Sequence, residues 1–356
     1  MQRIDTIRAG LCRSIPILAG MCGALLFSGH ATSAIDISLE DSLSVFMAGD
    51  ALVTHQEPSG YKGEENGFLR AVLDHNIADQ WYATIGIRGY QALPLPYLET
   101  GALSWRDSTL QISGGYLTSR YGICKYYKPW STYSPLFENP IIWNDYGFGG
   151  SVAWHSGYAV LQGCALMNSR ENGSVNAFAG IETPSFRAGF LGGFQTYSLE
   201  DQDNNVILGF ELSAGSDAIK LHTALCFERN LGYSLYSQTA VVPGNRFNGF
   251  LEMEISPCRS FIADLLGIYR RTTLYYNQMQ VFTGVDFRWF IGRIWGIGGG
   301  PESLDDLGII TWTPGLRIFL APAPDPTSQL SIGIERTWTG TSSPLYELTG
   351  NVCVAF

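Results

Sequence analysis

From about residue 42 to the C-terminus, apolar and polar residues alternate with a period of two. The alternating segments are separated by clusters of Gly, Pro, Asn, Asp and Ser. Neighbouring strand residues point to opposite faces, so each segment reads as a strand with one apolar side. In Asn205–Gly215, Val206, Leu208, Phe210, Leu212 and Ala214 share one face, opposite Gly209, Glu211 and Ser213. The same holds for Ile219, Leu221, Leu225 and Phe227 against Lys220, His222, Ala224 and Glu228. It holds again for Leu251, Met253 and Ile255 against Glu252 and Glu254, and for Val281, Val285, Phe287 and Trp289 against Asp286 and Arg288. A helix needs a period near 3.6, so these segments exclude a helical protein.

Composition agrees. The 356 residues include 41 Gly, 18 Tyr, 19 Phe and 9 Trp, which are weak helix formers. Hydrophobic residues make up 46% and charged residues 15%, which excludes intrinsic disorder. The net charge of −10 disfavours nucleic acid as a partner, since that needs a basic surface.

The first 34 residues read as an export signal. Arg3, Arg8 and Arg13 precede the apolar run Ile15–Phe27, and a small, mostly polar stretch follows to Ala34. Cleavage is expected after Ala34 or Ala31. The run is short for a membrane-spanning helix. Gly20-Met21 before Cys22 also departs from a lipidation site, where a small residue precedes the Cys. Removal subtracts three Arg and one Asp from 22 basic and 32 acidic residues, leaving 19 and 31. No later apolar run approaches 18 residues, so a membrane can be crossed only by strands. Ile35–Asp41 leaves seven residues before the first strand, from which no plug domain is expected.

The alternation fits a soluble sandwich or a membrane barrel. Export, a polar face carrying Glu252 and Glu254, and aromatics near strand ends (Trp81, Tyr97, Trp105, Trp154, Tyr197, Tyr269, Trp338, Tyr346) favour the barrel. The reading is all-β: an antiparallel transmembrane β-barrel of about 18 strands over 35–356, with 16 as the alternative. Tight inner turns alternate with longer outer loops at 55–65, 120–144, 169–173, 199–203, 231–245, 271–276, 300–306 and 339–343. An even count places both termini on the periplasmic side. In the last strand Tyr346, Leu348, Gly350, Val352, Val354 and Phe356 share one face. This resembles the C-terminal signature of bacterial outer-membrane barrels, whose terminal aromatic is read by the barrel-assembly machinery; Tyr346, Val352, Val354 and Phe356 would carry it.

The segment 120–144 is the longest connection and carries Pro129, Pro135 and Pro140. A barrel this wide is not filled by its own side chains, so such a loop is expected to fold inward and narrow it. The constriction residues would be Arg120, Tyr121, Lys125, Tyr126, Lys128, Trp130, Tyr133 and Glu138. The aromatics could instead form a stacking track for sugar rings, or pack the loop against the wall. By strand parity Arg70, Asp74, Arg88, Arg187, Glu211, Lys220, Glu228, Glu252, Glu254, Asp264, Arg270, Asp286, Arg288, Glu335 and Glu347 face the lumen, as selectivity residues or as interior ion pairs.

The run Gly115-Tyr-Leu-Thr-Ser-Arg-Tyr-Gly122 and the series Ala179–Pro184, Gly189–Tyr197, Gly209–Leu212 and Leu225–Glu228 resemble the bacterial outer-membrane porin superfamily of general and phosphate-selective-porin-like barrels. The pattern covers roughly 100–356. It implies a passive channel for small hydrophilic solutes, narrowed by a loop, set in outer-membrane lipid and lipopolysaccharide, and often a homotrimer. Only four Lys are present (Lys62, Lys125, Lys128, Lys220), so phosphate selectivity does not carry over.

No cofactor, metal site or catalytic motif is recognised. The expectation is a non-enzyme, with a structural or adhesive barrel and an outer-membrane lipid hydrolase as alternatives. Cys124, Cys164, Cys226, Cys258 and Cys353 lack zinc spacing and are odd in number. Cys226 and Cys353 are expected to pack as small residues.

Overall fold

The computed structural model describes residues 42–56, 60–90, 97–123, 141–167, 173–196, 204–230, 244–273, 278–321, 329–340 and 345–355. Eighteen strands follow one another in chain order. The first half comprises β1 (Ser42–Gln56), β2 (Gly60–Ala78), β3 (Trp81–Tyr90), β4 (Tyr97–Arg106), β5 (Leu110–Ile123), β6 (Ile141–Ser156), β7 (Ala159–Met167), β8 (Gly173–Thr183) and β9 (Phe186–Thr196). The second half comprises β10 (Asn204–Gly215), β11 (Ile219–Asn230), β12 (Asn245–Cys258), β13 (Phe261–Thr272), β14 (Gln278–Phe290), β15 (Trp295–Asp306), β16 (Ile309–Leu320), β17 (Gln329–Thr339) and β18 (Leu345–Ala355). Each pairs antiparallel with its neighbours in sequence, and β1 also pairs with β18. The sheet therefore closes on itself, and no strand edge is left unpaired. No helix occurs among the described residues.

The pleat sorts the side chains. Outward positions carry large apolar residues, with Phe190 68%, Ile318 62% and Ile334 64% exposed. Phe190 and Phe210 are cross-strand partners on this surface, with ring centroids 5.2 Å apart. Trp81 pairs with Trp105 beside the β2–β3 turn, and Trp312 with Trp338 beside the β15–β16 turn at the opposite end of the wall. An apolar exterior flanked by aromatics suits acyl chains and their interfaces, not a second packed sheet.

The 18-strand expectation agrees with this wall, but several loop boundaries differ. The loop expected at 55–65 is mostly strand, leaving only 57–59 between β1 and β2. The connection expected at 120–144 shrinks to 124–140, because β5 runs on to Ile123 and β6 begins at Ile141. The loop expected at 300–306 belongs to β15. The run Gly298-Gly299-Gly300-Pro301 reads locally as a loop, yet it is held in the ladder. Phe287 pairs with Gly299 and Gly284 with Glu302 without a change of register, and the whole run pairs with Arg317, Leu316, Gly315 and Pro314 of β16. Gly299 has φ +134° and Gly300 φ +157°, which glycine adopts without strain. The connection from β15 to β16 is then just Leu307-Gly308, with φ +53° and +88°. Two positive φ values in a two-residue link match the twist of a tight hairpin.

A Cβ at Gly299 would lie 2.2 Å from the Gly315 carbonyl oxygen. Gly299→Ala should therefore cost about 1–3 kcal/mol. The cost should read as a lower urea midpoint for unfolding from lipid vesicles; an unchanged midpoint would contradict the strained ladder.

Candidate functional site

The inner face of the wall is the candidate site. Cross-strand register turns the inward positions of β10–β15 into rows that run across the strands. One row is Lys220, Glu254, Asp264 and Asp286. The next is Ser213, His222, Glu252, Leu266, Gly284 and Glu302. The third starts at Glu211 on β10 and continues through the apolar Ala224, Phe250, Ile268, Phe282 and Leu304 on β11–β15. Nearest the β15–β16 turn comes Cys226, Asn248, Arg270, Gln280 and Asp306. An apolar rung thus crosses the lumenal wall between polar rungs.

The charges on the polar rungs are closely matched. Arg288 bonds the Asp264 carboxylate, and its Nε lies 3.8 Å from Asp286. Arg317 meets Asp286 at 2.6 Å. Arg288 is 1% exposed and Asp264 0%, so each would be costly to bury alone. Lys220 donates to Glu254 at 2.6 Å. His222 is fully buried, with Nδ1 2.7 Å from Glu252 and Nε2 3.1 Å from Glu211. Toward the outer end, Glu228 accepts from Arg246 at 3.0 Å and from Asn205 at 2.7 Å.

The remaining wall repeats the theme. Arg88 bonds Glu99 at 3.0 Å. Arg106 and Thr84 both donate to Asp74. Arg187 bonds Glu182 at 2.9 Å and lies 4.9 Å above the Phe178 ring.

The apolar rung belongs to a larger cluster that includes Tyr121, Val160, Phe178, Leu191, Ile207 and Cys226. These come from β5 and from β7–β11, so the cluster spans the interior. Backbone of β5 and β6 approaches that of β11 and β12 to within 8 Å between Cα atoms. The Tyr121 ring rests against Gly209; a Cβ there would lie 2.8 Å from Tyr121 Cε1.

The expected site residues are placed unevenly. Arg88, Arg187, Glu211, Glu252, Glu254, Asp286 and Arg288 line the interior, each with a counter-charge nearby. Tyr121 is corrected from loop to wall: it sits on β5, opposite Trp143 of β6, and is 5% exposed. Arg120 is also a strand residue, opposite Asn144. Lys125, Tyr126, Lys128, Trp130, Tyr133 and Glu138 lie outside the described residues. Tyr346, Val352 and Val354 are in β18; Tyr346 and Val352 pair with Arg336 and Leu330 of β17, and Val354 pairs with Met47 of β1. Phe356 lies outside the described residues. Cys164, Cys226 and Cys258 are free thiols, and Cys226 is buried in the apolar cluster.

Sequence reasoning missed Glu99, Glu182, Arg317 and the apolar rung. Glu99 enters the lumen through a register shift opposite Gly86/Ile87, which parity alone does not show. The rung had a visible signal. Phe250, Ile268 and Phe282 are large apolar residues at the parity of Glu252, Asp264 and Asp286.

No protein-family model matches the sequence, and no match is found among curated proteins. Solved structures do match. OpdL of Pseudomonas aeruginosa is 11% identical with a TM-score of 0.54, over 90% of this chain and 99% of that one. OccAB4 of Acinetobacter baumannii is 9% identical with a TM-score of 0.52, over 89% and 98%. An anion-selective porin from Comamonas acidovorans is 8% identical with a TM-score of 0.55, over 89% and 100%. The class of fold is therefore the outer-membrane porin barrel. Identities this low carry the fold alone.

Removing one member of a buried pair strands the other. Asp264→Ala is expected to cost about 3 kcal/mol, whereas Asp264→Leu combined with Arg288→Met should recover most of the loss. A double-mutant cycle read by urea unfolding measures this; additive losses would show that the pair is not coupled.

Proposed function

We propose that this chain is a passive diffusion channel of the bacterial outer membrane, admitting small hydrophilic solutes and carrying no catalytic chemistry. One observation carries the reading: a closed 18-stranded wall whose outer face is apolar and whose inner face holds compensated charge. Such a wall turns bilayer and water to opposite sides. The likeness to porin structures over about nine-tenths of the chain supports it. We further propose a cleaved signal at 1–34, periplasmic termini, contact with lipopolysaccharide, and assembly through the C-terminal strand ending at Phe356. A homotrimer is proposed on the resemblance and on a neighbouring fold described as a trimer form, OmpT of Vibrio cholerae (6% identical, TM-score 0.54).

In this reading, 124–140 is the remaining constriction loop, with Lys125, Tyr126, Lys128, Trp130, Tyr133 and Glu138 set at the narrows beside Arg120 and Tyr121.

A second reading has its own support. The approach of β5 and β6 to β11 and β12 narrows the interior, as a closed structural barrel would. Planar-bilayer recording separates the two. Stepwise conductance is expected, and its absence would leave the structural barrel. Deleting 125–138 should raise the step size, and an unchanged step would remove that loop as the constriction. Replacing Lys125 and Lys128 with Gln should shift the reversal potential in a KCl gradient toward K⁺ preference. No shift would place both cations away from the permeation path.

A further inference from the structure

Strands β6 and β11 are five steps apart along the sheet. At the usual strand spacing that is about 24 Å of wall. Yet β11 comes within 8 Å of both β5 and β6, and β12 within 8 Å of β6, between Cα atoms. The ring is therefore pinched into two unequal lobes. The six strands β6–β11 enclose the narrow one, and the other twelve, β12–β18 and β1–β5, enclose the wider one.

A ring of about eight strands is just filled by its own side chains, and a larger ring leaves a passage. The narrow lobe falls below that size, and its inward residues meet across it. Ser119 of β5 donates to Asn176 Oδ1 of β8 at 3.3 Å, and the Tyr121 ring lies 6.4 Å from that of Phe178 on β8. A Cβ on Gly209 of β10 would stand 2.8 Å from Tyr121 Cε1. Val160, Phe178, Leu191 and Ile207 are all buried in the same cluster. A void of about 260 Å³ remains beside Gln162 and Cys164, but Leu117, Tyr121, Phe178 and Leu191 are buried around it.

The wider lobe holds a void of the same volume against β12–β14, with a polar lining. Arg246, Asn248, Arg270, Thr272, Gln278 and Gln280 border it, all at least partly exposed. Arg246 is matched by Glu228 at 3.0 Å. Arg270 makes no ion pair or hydrogen bond among the described residues.

We propose that the narrow lobe is a packed partition closed to solutes, and that permeation is confined to the wider lobe, past Arg270 as a charge-setting residue. This assignment rests on the channel reading. A hydrated ion entering the narrow lobe would exchange water for the rings and methyls of Phe178, Leu191 and Ile207. In the wider lobe, amide and hydroxyl groups replace lost water, and the unmatched guanidinium attracts anions.

Thiols placed in the two lobes test the partition without any need for conduction. Cys164 lines the void of the narrow lobe and Cys258 is exposed at the end of β12. Gln280→Cys adds a thiol at the void of the wider lobe. Because the voids match in volume, access rather than room decides the outcome. Full-length protein in detergent is treated with 2-sulfonatoethyl methanethiosulfonate and read by peptide mass spectrometry. Labelling is expected at Cys258 and at the Gln280→Cys thiol, with none at Cys164 until the protein is heat-unfolded. Heat-modifiable gel mobility confirms folding. Labelling of Cys164 in the folded protein as fast as the Gln280→Cys thiol overturns the partition. A Gln280→Cys thiol that stays unlabelled in folded protein overturns the path. In bilayers, the reagent should lower the step conductance of Gln280→Cys, and Arg270→Gln should move the reversal potential in a KCl gradient toward K⁺ preference. An unchanged step overturns the path, and an unchanged potential overturns the role of Arg270. The expected labelling without conductance in any form upholds the partition and removes the channel reading instead.

Discussion

Hydrocarbon offers no hydrogen-bond partner to a peptide group, and the structure depends on that constraint. An unpaired N–H or C=O in the bilayer costs several kcal/mol, so a strand there needs a neighbour on each side. β1 meets it by lying between β18 and β2, which turns an open sheet into a ring. Closure then sets the inside against the outside. Because the pleat alternates, each strand contributes to both surfaces at once. The outer one can be as apolar as Leu, Ile and Phe allow, and the inner one carries the charge.

The interior does not simply reverse the exterior. Its charges are grouped in matched sets, such as Arg288 with Asp264 and Asp286, or His222 with Glu211 and Glu252. Between two polar rows runs the rung Ala224, Phe250, Ile268, Phe282 and Leu304, joined by Tyr121 from the facing part of the wall. Water at such a rung finds few partners, while the charged rows beside it are held in register by the same ladder.

Much of this was legible in the chain. The parity of Glu252, Glu254, Asp286 and Arg288 placed them on one side, and the structure turns that side inward. Alternating turns led to 18 strands. Where local chemistry misled, a tertiary contact had overruled it. Gly298-Gly299-Gly300-Pro301 has loop composition, yet pairing with β14 and β16 holds it in the wall. Tyr121 stands among residues of loop character, but β6 reaches up to pair with it. Glu99 changed face through a register shift that no count of residues anticipates.

The sequence by itself determined which side chains share a face, because that follows from the pleat of a single strand and needs no partner. It also determined that the chain crosses a membrane as strands or not at all, since no apolar run after residue 34 is long enough for a helix. Only the tertiary structure decided which inward residues meet. Arg317 reaches Asp286 across β15, and Tyr121 settles on Gly209 from a strand far around the ring. Those meetings depend on register, tilt and closure, which are properties of the whole cylinder and are written in no single segment.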